Sequence, residues 1–403
     1  MTVPRAPLAD VPFSLKDIAL PAFGPSLLYG VATGAIVPVI AFSARELDAS
    51  VALSSLVVAL TGIGSLASNV PAAMLTSRFG ERRAMTGAAA FSIVAFLLCI
   101  FAVHVTMLAA GVLMAGMAGS VFTLARQTFL IDAVPIIMRA RAFSTLAGSM
   151  RIGVFIGPFA GAALMHFVGL QGAYWVALLA MAGVGVIALT LPDLRSSTSP
   201  DAAPTATPTI MAVVSSHAGV FLTLGIGVVL VSAIRASRQV VIPLWADHLG
   251  FAPAVASLIY GLAAAIDMAV FYPAGKVMDQ RGRLWVAVPS TLLMGLSLML
   301  MSFTSGLATF LIAAMIVGLG NGIGSGIVMT LGADASPRAG RAEFLGIWRM
   351  MSDIGASGGP VLLSAITATA SLAAGMLTIG SLGLLAAAVF WRWIPPHGIS
   401  ARR

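Results

Sequence analysis

An all-α integral membrane protein is the fold class that the sequence predicts. Three observations predict it: an apolar composition, twelve long apolar runs and an internal repeat. Of the 403 residues, 59% are hydrophobic and 9% are charged, and the mean hydropathy is +1.02. Soluble domains carry about 25% charged residues, so this chain cannot build a water-exposed surface. The composition excludes a soluble enzyme, a disordered chain and a secreted disulfide scaffold, since the single Cys99 permits no intrachain disulfide.

The apolar runs are long enough to cross a bilayer as helices, because a core roughly 30 Å thick needs about 20 residues. Their continuity also excludes the alternating strands of a membrane barrel. We expect the first run to be retained, because the N-terminus lacks the pattern of a signal peptide. The predicted spans, numbered 1 to 12, are approximately 18–42, 50–75, 84–104, 107–131, 142–167, 171–191, 216–243, 252–277, 285–304, 307–332, 343–370 and 372–393.

The net charge of +8 follows the loops between the apolar runs. Sixteen Lys and Arg residues fall in the termini and the even-numbered loops, whereas only Arg45 falls in an odd-numbered loop. By the positive-inside rule, this asymmetry predicts cytoplasmic termini in a bacterial-type inner (plasma) membrane. No basic face interleaved with aromatic residues occurs, so nucleic acid is not an expected partner.

The two halves of the chain repeat each other at an offset of 202 residues. The polar stretch between them is rich in Pro, Ser and Thr, which is typical of a flexible linker. The predicted organisation is therefore an N-terminal six-helix bundle at 1–192, a cytoplasmic linker at 193–215 and a C-terminal six-helix bundle at 216–403. The repeat is carried by three matched pairs of segments: 77–80 with 279–282, 132–135 with 334–337, and 153–158 with 355–360.

The third pair has the pattern Gly-x-x-x-Gly-Pro in spans 5 and 11. Glycines four apart share a helix face and let a neighbouring backbone approach closely, while the proline bends the helix. This pattern is explained equally well by helix packing alone and by a tight, bendable seam between the two halves. Its residues are Gly153, Gly157, Pro158, Gly355, Gly359 and Pro360.

The loop between spans 8 and 9, residues 275–283, resembles the cytoplasmic gating motif of the major facilitator superfamily, although Gln280 replaces the usual Arg. A looser copy between spans 2 and 3 keeps Arg78 and Gly80, and the glycines of 148–161 resemble the fifth-span motif of the family's proton-coupled antiporters. The resemblance covers essentially the whole chain. It implies the major facilitator fold, in which two six-helix bundles rock about a central cavity.

Acidic residues at the ends of spans 4 and 10 are expected to pair with basic residues of the gating loops. Such pairs would latch the outward-facing state, with Arg78 or Arg82 on one acid and Lys276 or Arg281 on the other. The alternative is that these charges only fix topology. The expected gate comprises Arg78, Gly80, Asp132, Gly275, Asp279, Arg281, Gly282 and Asp334.

Ionisable residues inside the spans are costly in lipid and should therefore face a cavity or a partner. Asp267 and Asp353 are the expected proton carriers, although both could simply neutralise arginines. Arg151 is the counterpart of Asp353 under the 202 offset, and the two could face each other across the cavity. The arginine surplus favours anionic cargo, because guanidinium groups bind carboxylates bidentately. The cavity arginines are Arg126, Arg151, Arg235, Arg238 and Arg349.

The function that we expect from the sequence is proton-coupled efflux of amphiphilic or drug-like small molecules by alternating access. An importer or exchanger of an organic anion is the main alternative, and a non-transporting receptor is less favoured. The expected partners are a small-molecule substrate, protons and the lipid bilayer, and the protein is expected to act as a monomer. No phosphate-binding loop, cysteine pair or metal-binding motif occurs in the sequence, so no cofactor and no metal are expected.

Overall fold

The computed structural model describes residues 19–134, 138–190, 210–337 and 340–394, and nearly all of them are helical. Spans 1 to 6 are the helices Ala19–Glu46, Val51–Phe79, Glu81–Ile100, Val105–Ala133, Arg139–Val168 and Gln171–Thr190. Spans 7 to 12 are Ala218–His248, Pro253–Arg281, Leu284–Met301, Leu307–Ala335, Arg341–Thr369 and Leu372–Trp393. A short helix, Ile210–Ser216, precedes span 7, which contains one π-helical turn at Phe221–Gly225. The all-α prediction is confirmed.

Eleven of the described helices are both long enough and apolar enough to cross a membrane. Span 11, the remaining long helix, has 29 residues and is therefore also long enough to cross a membrane. It falls outside this group because it is the most polar of the twelve, with Arg349 and Asp353 among several Ser, Thr and Gly residues. Such a helix is stable in a bilayer only where neighbouring helices or water cover its polar side chains.

Two glycines at equivalent positions end spans 2 and 8. Gly80 and Gly282 lie 202 residues apart, with φ angles of 79° and 96°. A side chain is strained at these angles, so glycine lets the chain turn sharply and start the next helix within one or two residues. Gly80 and Gly282, which were both expected in the gate, therefore form the sharp turn in each of the two loops.

The glycine faces of spans 5 and 11 lie directly against backbone. A methyl group added at Gly153 or Gly157 would collide with carbonyl oxygens of span 1, and one added at Gly355 or Gly359 would collide with carbonyl oxygens of span 7. The offset of 202 also relates the oxygens that these glycines face, which belong to Leu27, Val31, Val229 and Ala233. Both contacts lie within one half, so the interpretation of these glycines as the seam between halves is wrong. Pro158 of the motif does reach that seam, where its ring borders Gly261 of span 8.

The seam between the halves is formed mainly by span 2 against span 11 and by span 5 against span 8, with smaller contacts of span 1 with spans 7 and 8. We call the surface with the loops after spans 1, 3, 5, 7, 9 and 11 the odd-loop face, and the opposite surface the even-loop face. At the odd-loop face, Arg45 Nε lies 3.1 Å from Asp247 Oδ2, and Ser364 Oγ donates to the carbonyl oxygen of Ala52 at 2.7 Å. Further polar contacts follow at mid-span. Polar links between the halves therefore extend from the odd-loop face to the middle of the membrane.

Arg45 and Asp247 are themselves 202 residues apart, so the pair joins equivalent ends of spans 1 and 7. The Arg45→Ala variant should lose no more than about 1 kcal/mol of stability, because both side chains are about a third exposed. We expect it instead to open the odd-loop face more often, since the link between the halves is lost. Hydrogen exchange of amides 47–53 and 247–253 should accelerate, whereas Arg392→Ala should leave it unchanged. Equal exchange in both variants would show that the pair does not hold this face closed.

Candidate functional site

Asp267 of span 8 is the centre of a polar site in the middle of the membrane. Its carboxylate lies 3.2 Å from Arg151 Nη1 of span 5 and accepts a hydrogen bond of 2.5 Å from Asn321 Nδ2 of span 10. Arg151 also donates to the hydroxyl of Ser325, and its guanidinium lies 4.1 Å from the ring centre of Phe271. The ion pair thus joins the two halves and is mostly shielded from solvent.

Two further arginines approach this site from span 7. Arg235 donates to the carbonyl oxygen of Gly324 and lies close enough to Asp267, Arg238 and Arg151 to interact with them electrostatically. Arg238 is 9% exposed, and its guanidinium lies 5.7 Å from the ring centre of Tyr260. The Nε atoms of both arginines are buried without a hydrogen-bond partner. We call Arg151, Arg235, Arg238 and Asp267 the arginine cluster; three guanidinium groups and one carboxylate leave it with two excess positive charges.

Span 10 is interrupted beside the arginine cluster. Its first helix ends at Ile323 and the second begins at Ile327, with Gly326 between them at a φ of 89°. Within the interruption, the carbonyl oxygen of Gly324 accepts a hydrogen bond of 3.1 Å from the backbone N–H of Ile327 and a second one from Arg235. The sequence predicted an unbroken apolar span at 307–332 and favoured small-residue packing or a cavity wall for its glycine-rich stretch; in the structure the helix is interrupted there.

Asp353 occupies a second polar site, at the seam between spans 2 and 11. It accepts a hydrogen bond of 2.9 Å from Asn69 Nδ2, and Asn69 Oδ1 accepts one of 2.7 Å from Ser120. The expectation that Arg151 faces Asp353 is wrong, because span 5 packs on span 8 and span 11 packs on span 2. Arg349, which shares a helix with Asp353, is exposed.

Arg126 of span 4 is a buried cation with no acidic partner among the described residues. It is 5% exposed and its Nε lacks a hydrogen-bond partner. Its guanidinium lies 5.5 Å from the ring centre of Phe122, and its Nη atoms lie 3.9 and 4.0 Å from the sulfur of Met150. A charge so deeply buried, with no acidic partner in the part of the chain that the structure describes, would be stabilised by a ligand anion.

A hollow of about 270 Å³ lies beside the ion pair of Arg151 and Asp267. Spans 5 and 8 line it, and its wall includes Arg151, Asp267 and Met268 together with Met150, the residue that contacts Arg126. The hollow has nearly the size of a small-molecule site, which is about 300–1,000 Å³. Its wall combines thioether groups with one cation and one anion, which suits a small amphiphilic ligand.

The gating loop between spans 8 and 9 forms an ion pair that differs from the expected one. Asp334 Oδ2 lies 2.9 Å from Arg283 Nε, so its partner is Arg283 and not Lys276 or Arg281, which are both exposed. Arg283 also lies 3.6 Å from Asp279 and donates to the carbonyl oxygen of Met278 at 3.0 Å. A Cβ added at Gly275 would meet no atom within 4 Å.

In the first half, Arg78 is exposed and its guanidinium lies 5.6 Å from the ring centre of Phe79. The side chain of Asp132 lies outside the described residues, so its expected pairing with Arg78 or Arg82 stays a prediction.

The charged members of both polar sites were predicted from the sequence, whereas their neutral partners were not. Asn69, Ser120, Asn321 and Ser325 hold the carboxylates and the arginine, but none was assigned to the site. Asparagine within an apolar run was the available signal, because its amide requires hydrogen-bond partners at membrane depth.

The chain matches the family model of the Major Facilitator Superfamily over residues 26–234 and again over 224–403. A curated relative, the MFS-type transporter pydD of Acremonium sp., is 27% identical over 115 residues; the match spans 28% of this chain and 20% of the relative's length.

Two solved structures share the fold over nearly the whole chain. A D-xylose–proton symporter is 16% identical and covers 95% of this chain and 98% of its own, with a TM-score of 0.75. A bacterial homologue of the human lysosomal transporter Spinster is 14% identical and covers 94% and 96%, with a TM-score of 0.76. At these identities the likeness shows the fold alone, and the family match carries the assignment. The chain therefore belongs to the Major Facilitator Superfamily, a family of secondary transporters, and not to a class of enzymes.

Proposed function

We propose that this protein is a secondary active transporter that carries small organic anions with an apolar body by alternating access. The observation that carries the proposal is Arg126, a buried guanidinium without a carboxylate among the described residues. The arginine cluster adds two positive charges that its single carboxylate does not neutralise. A substrate carboxylate would supply the missing negative charge, and the planar guanidinium would bind it through two hydrogen bonds.

We further propose that protons drive the transport and that Asp267 carries them. Arg151 lines the hollow beside Met150, so an anion that enters it competes with the Asp267 carboxylate for this guanidinium. Arg235 stays near Asp267, but the pairing with Arg151 weakens and a second negative charge lies close by, and both changes favour the neutral acid. Binding of the anion at Arg151 would therefore be accompanied by protonation of Asp267. Asp353, whose described hydrogen-bond partner is the neutral Asn69, is the second candidate.

Efflux of drug-like compounds is the second candidate function, and two observations favour it. Met150 and Met268 line the hollow, and methionine adapts to apolar ligands of different shapes. The glycine motif of span 5 also resembles that of the family's proton-coupled antiporters. This candidate predicts binding that depends on the apolar body of the ligand and little on its charge.

The proposed orientation places the even-loop face, with both termini, in the cytoplasm of a bacterial-type inner membrane. The distribution of Lys and Arg supports it. The polar links between the halves lie between the odd-loop face and mid-span, which supports a state closed to the outside. The proposed functional unit is the monomer, since one chain supplies both halves.

A thermal-shift screen in detergent tests the class of substrate. Each carboxylate in the panel, for example benzoate, is compared with its isosteric primary amide, for example benzamide. Ligand at 100 times its dissociation constant stabilises the folded state by about 2.7 kcal/mol, which is readily measured. We expect carboxylates to raise the melting temperature and amides not to do so. Equal shifts from a carboxylate and its amide would favour the second candidate, efflux without selection of charge.

The Asp267→Asn variant tests proton coupling. An amide of the same shape keeps the packing of span 8 but cannot release a proton. In proteoliposomes, we expect the imposed proton gradient to drive no accumulation, whereas exchange of labelled for unlabelled substrate continues. The imposed gradient is a pH difference, because an anion that moves with one proton carries no net charge across the membrane. A difference of about 1.7 pH units supplies about 2.3 kcal/mol, equivalent to roughly fiftyfold accumulation in the wild type.

The matched control is Asp48→Asn, which changes an exposed carboxylate in the loop between spans 1 and 2. It should keep gradient-driven accumulation, because Asp48 lies outside the membrane core and belongs to neither polar site. Wild-type accumulation by Asp267→Asn would exclude Asp267 as the proton carrier and would favour Asp353 instead.

A further inference from the structure

A second, larger hollow lies away from the arginine cluster, among spans 2, 3 and 4 on the even-loop side. Its volume is about 490 Å³, within the usual range for small-molecule sites. The wall is apolar apart from Ser68 and Arg83, and its larger side chains are Leu75, Phe79, Phe91 and Met117. No residue of the arginine cluster lines it. We call this hollow the span 3 groove.

The apolar wall of the span 3 groove is left uncovered by the protein. Leu75 is 41% exposed, Phe79 is 48% exposed and Phe91 is 38% exposed. These residues belong to membrane-spanning helices, so the medium that meets them is hydrocarbon. Gly87 contributes to the space, because a Cβ at this position would meet no atom within 4 Å.

One end of the groove is cationic. Arg83, in the first turn of span 3, is exposed and lines both the groove and an adjoining hollow of about 430 Å³. Arg82 and Thr86 line that adjoining hollow as well. The even-loop end of span 3 therefore presents guanidinium and hydroxyl groups directly beside an apolar cleft.

The length of the groove matches one leaflet of a bilayer. From Arg83 to Phe91 the helix rises about 12 Å, at about 1.5 Å per residue. The hydrocarbon of one leaflet is about 15 Å deep, half of a core roughly 30 Å thick. A molecule with its anionic group at Arg83 would therefore place its apolar tail along the groove at the depth of a lipid acyl chain.

The second half does not repeat this arrangement. At the offset of 202, Trp285 stands in place of Arg83 and Pro289 stands in place of Gly87. The cation and the open glycine position are thus specific to the first half, although the surrounding helices are equivalent.

We propose that the span 3 groove binds an anionic phospholipid of the surrounding bilayer, with an acyl chain along spans 2, 3 and 4 and the phosphate at Arg83. Charge complementarity selects the headgroup, because a guanidinium binds phosphate oxygens through paired hydrogen bonds. The apolar wall accepts the chain and adds affinity through buried area. This site is independent of the proposed transport site.

The test is native mass spectrometry of the full chain, purified in detergent with equal amounts of phosphatidylglycerol and phosphatidylcholine. We expect the wild type to retain phosphatidylglycerol preferentially, by about tenfold, as one charge-assisted contact allows. Arg83→Gln should lose the preference, and Gly87→Phe, which fills the groove, should lose retention of both lipids. The matched controls are Arg392→Gln, an exposed arginine on the same face, and Gly358→Phe, at another glycine with open space.

The second measurement is thermal unfolding in the presence of phosphatidylglycerol or of sodium phosphate at the same concentration. Phosphatidylglycerol should raise the melting temperature of the wild type and not that of Gly87→Phe, whereas inorganic phosphate should raise neither. Two results would overturn the proposal: equal retention of the two lipids by the wild type, or wild-type retention by both Arg83→Gln and Gly87→Phe. Stabilisation by inorganic phosphate alone would also overturn it, because it would show an anion site that needs no acyl chain.

Discussion

Replacing Arg126 with methionine is expected to abolish transport of an anionic substrate while raising the melting temperature of the protein. The guanidinium is 5% exposed and lies between Phe122 and the sulfur of Met150, so its burial costs free energy that no acidic side chain of the described residues offsets. Methionine has a similar length and would pack in the same space. A residue that destabilises the folded state and is nevertheless needed for activity is the pattern expected at a binding site.

The expected loss of substrate affinity is large. Truncating one partner of a buried, hydrogen-bonded charge pair costs about 2–5 kcal/mol, which is a factor of roughly 30 or more in the dissociation constant. Arg126→Lys should retain part of the affinity, since the charge is kept and the bidentate geometry is lost. Uptake into proteoliposomes and thermal unfolding measure the two effects on the same preparations.

Arg392→Met is the control for this experiment, because Arg392 is exposed at the end of span 12 and lies over Trp393. It should change neither transport nor stability. If Arg126→Met transports normally, the substrate does not bind at Arg126. If the variant is also less stable than the wild type, the guanidinium has a structural task instead.

The second large effect is expected from a single added side chain in span 11. Gly359→Leu would drive a branched side chain against the backbone of Ala233 in span 7, where a Cβ alone already collides with the carbonyl oxygen. A backbone carbonyl cannot move aside as a side chain can, so the cost should reach about 3 kcal/mol or more, at the upper end for overpacking. That is about a hundredfold in the ratio of folded to unfolded protein.

The adjacent residue provides the control. A Cβ at Gly358 meets no atom within 4 Å, and this residue is exposed on the same helix. Gly358→Leu should therefore behave like the wild type in size-exclusion chromatography and thermal unfolding, whereas Gly359→Leu should yield little monodisperse protein. Equal behaviour of the two variants would mean that spans 7 and 11 can separate without loss of the fold.

The sequence predicts the helices well because hydropathy depends on each residue and its near neighbours. The offset of 202 also predicts pairs of equivalent contacts, as the glycines of spans 5 and 11 show. It does not predict which helices meet across the seam. Arg151 was expected opposite Asp353. In the pseudo-symmetric fold, span 5 packs on span 8 and span 11 packs on span 2, so each of these residues meets a different partner.

Neutral residues explain most of what the sequence did not reveal. Asn69 and Asn321 orient the two carboxylates, and Ser325 receives Arg151 in the interruption of span 10. An amide or hydroxyl at membrane depth is less costly than a charge, so its presence in an apolar run gives a weaker signal. Arg283 was overlooked in a similar way, since several basic residues of one loop could reach Asp334 and only the three-dimensional arrangement selects among them.

The contact between Arg45 and Asp247 has a consequence for how the halves recognise each other. If each half were produced as a separate polypeptide, two copies of the first half would bring arginine against arginine at this point, and two copies of the second would bring aspartate against aspartate. Like charges at such a junction repel, and opposite charges attract. Because the charge at this position is opposite in the two halves, pairing of the first half with the second is favoured over pairing of either half with itself.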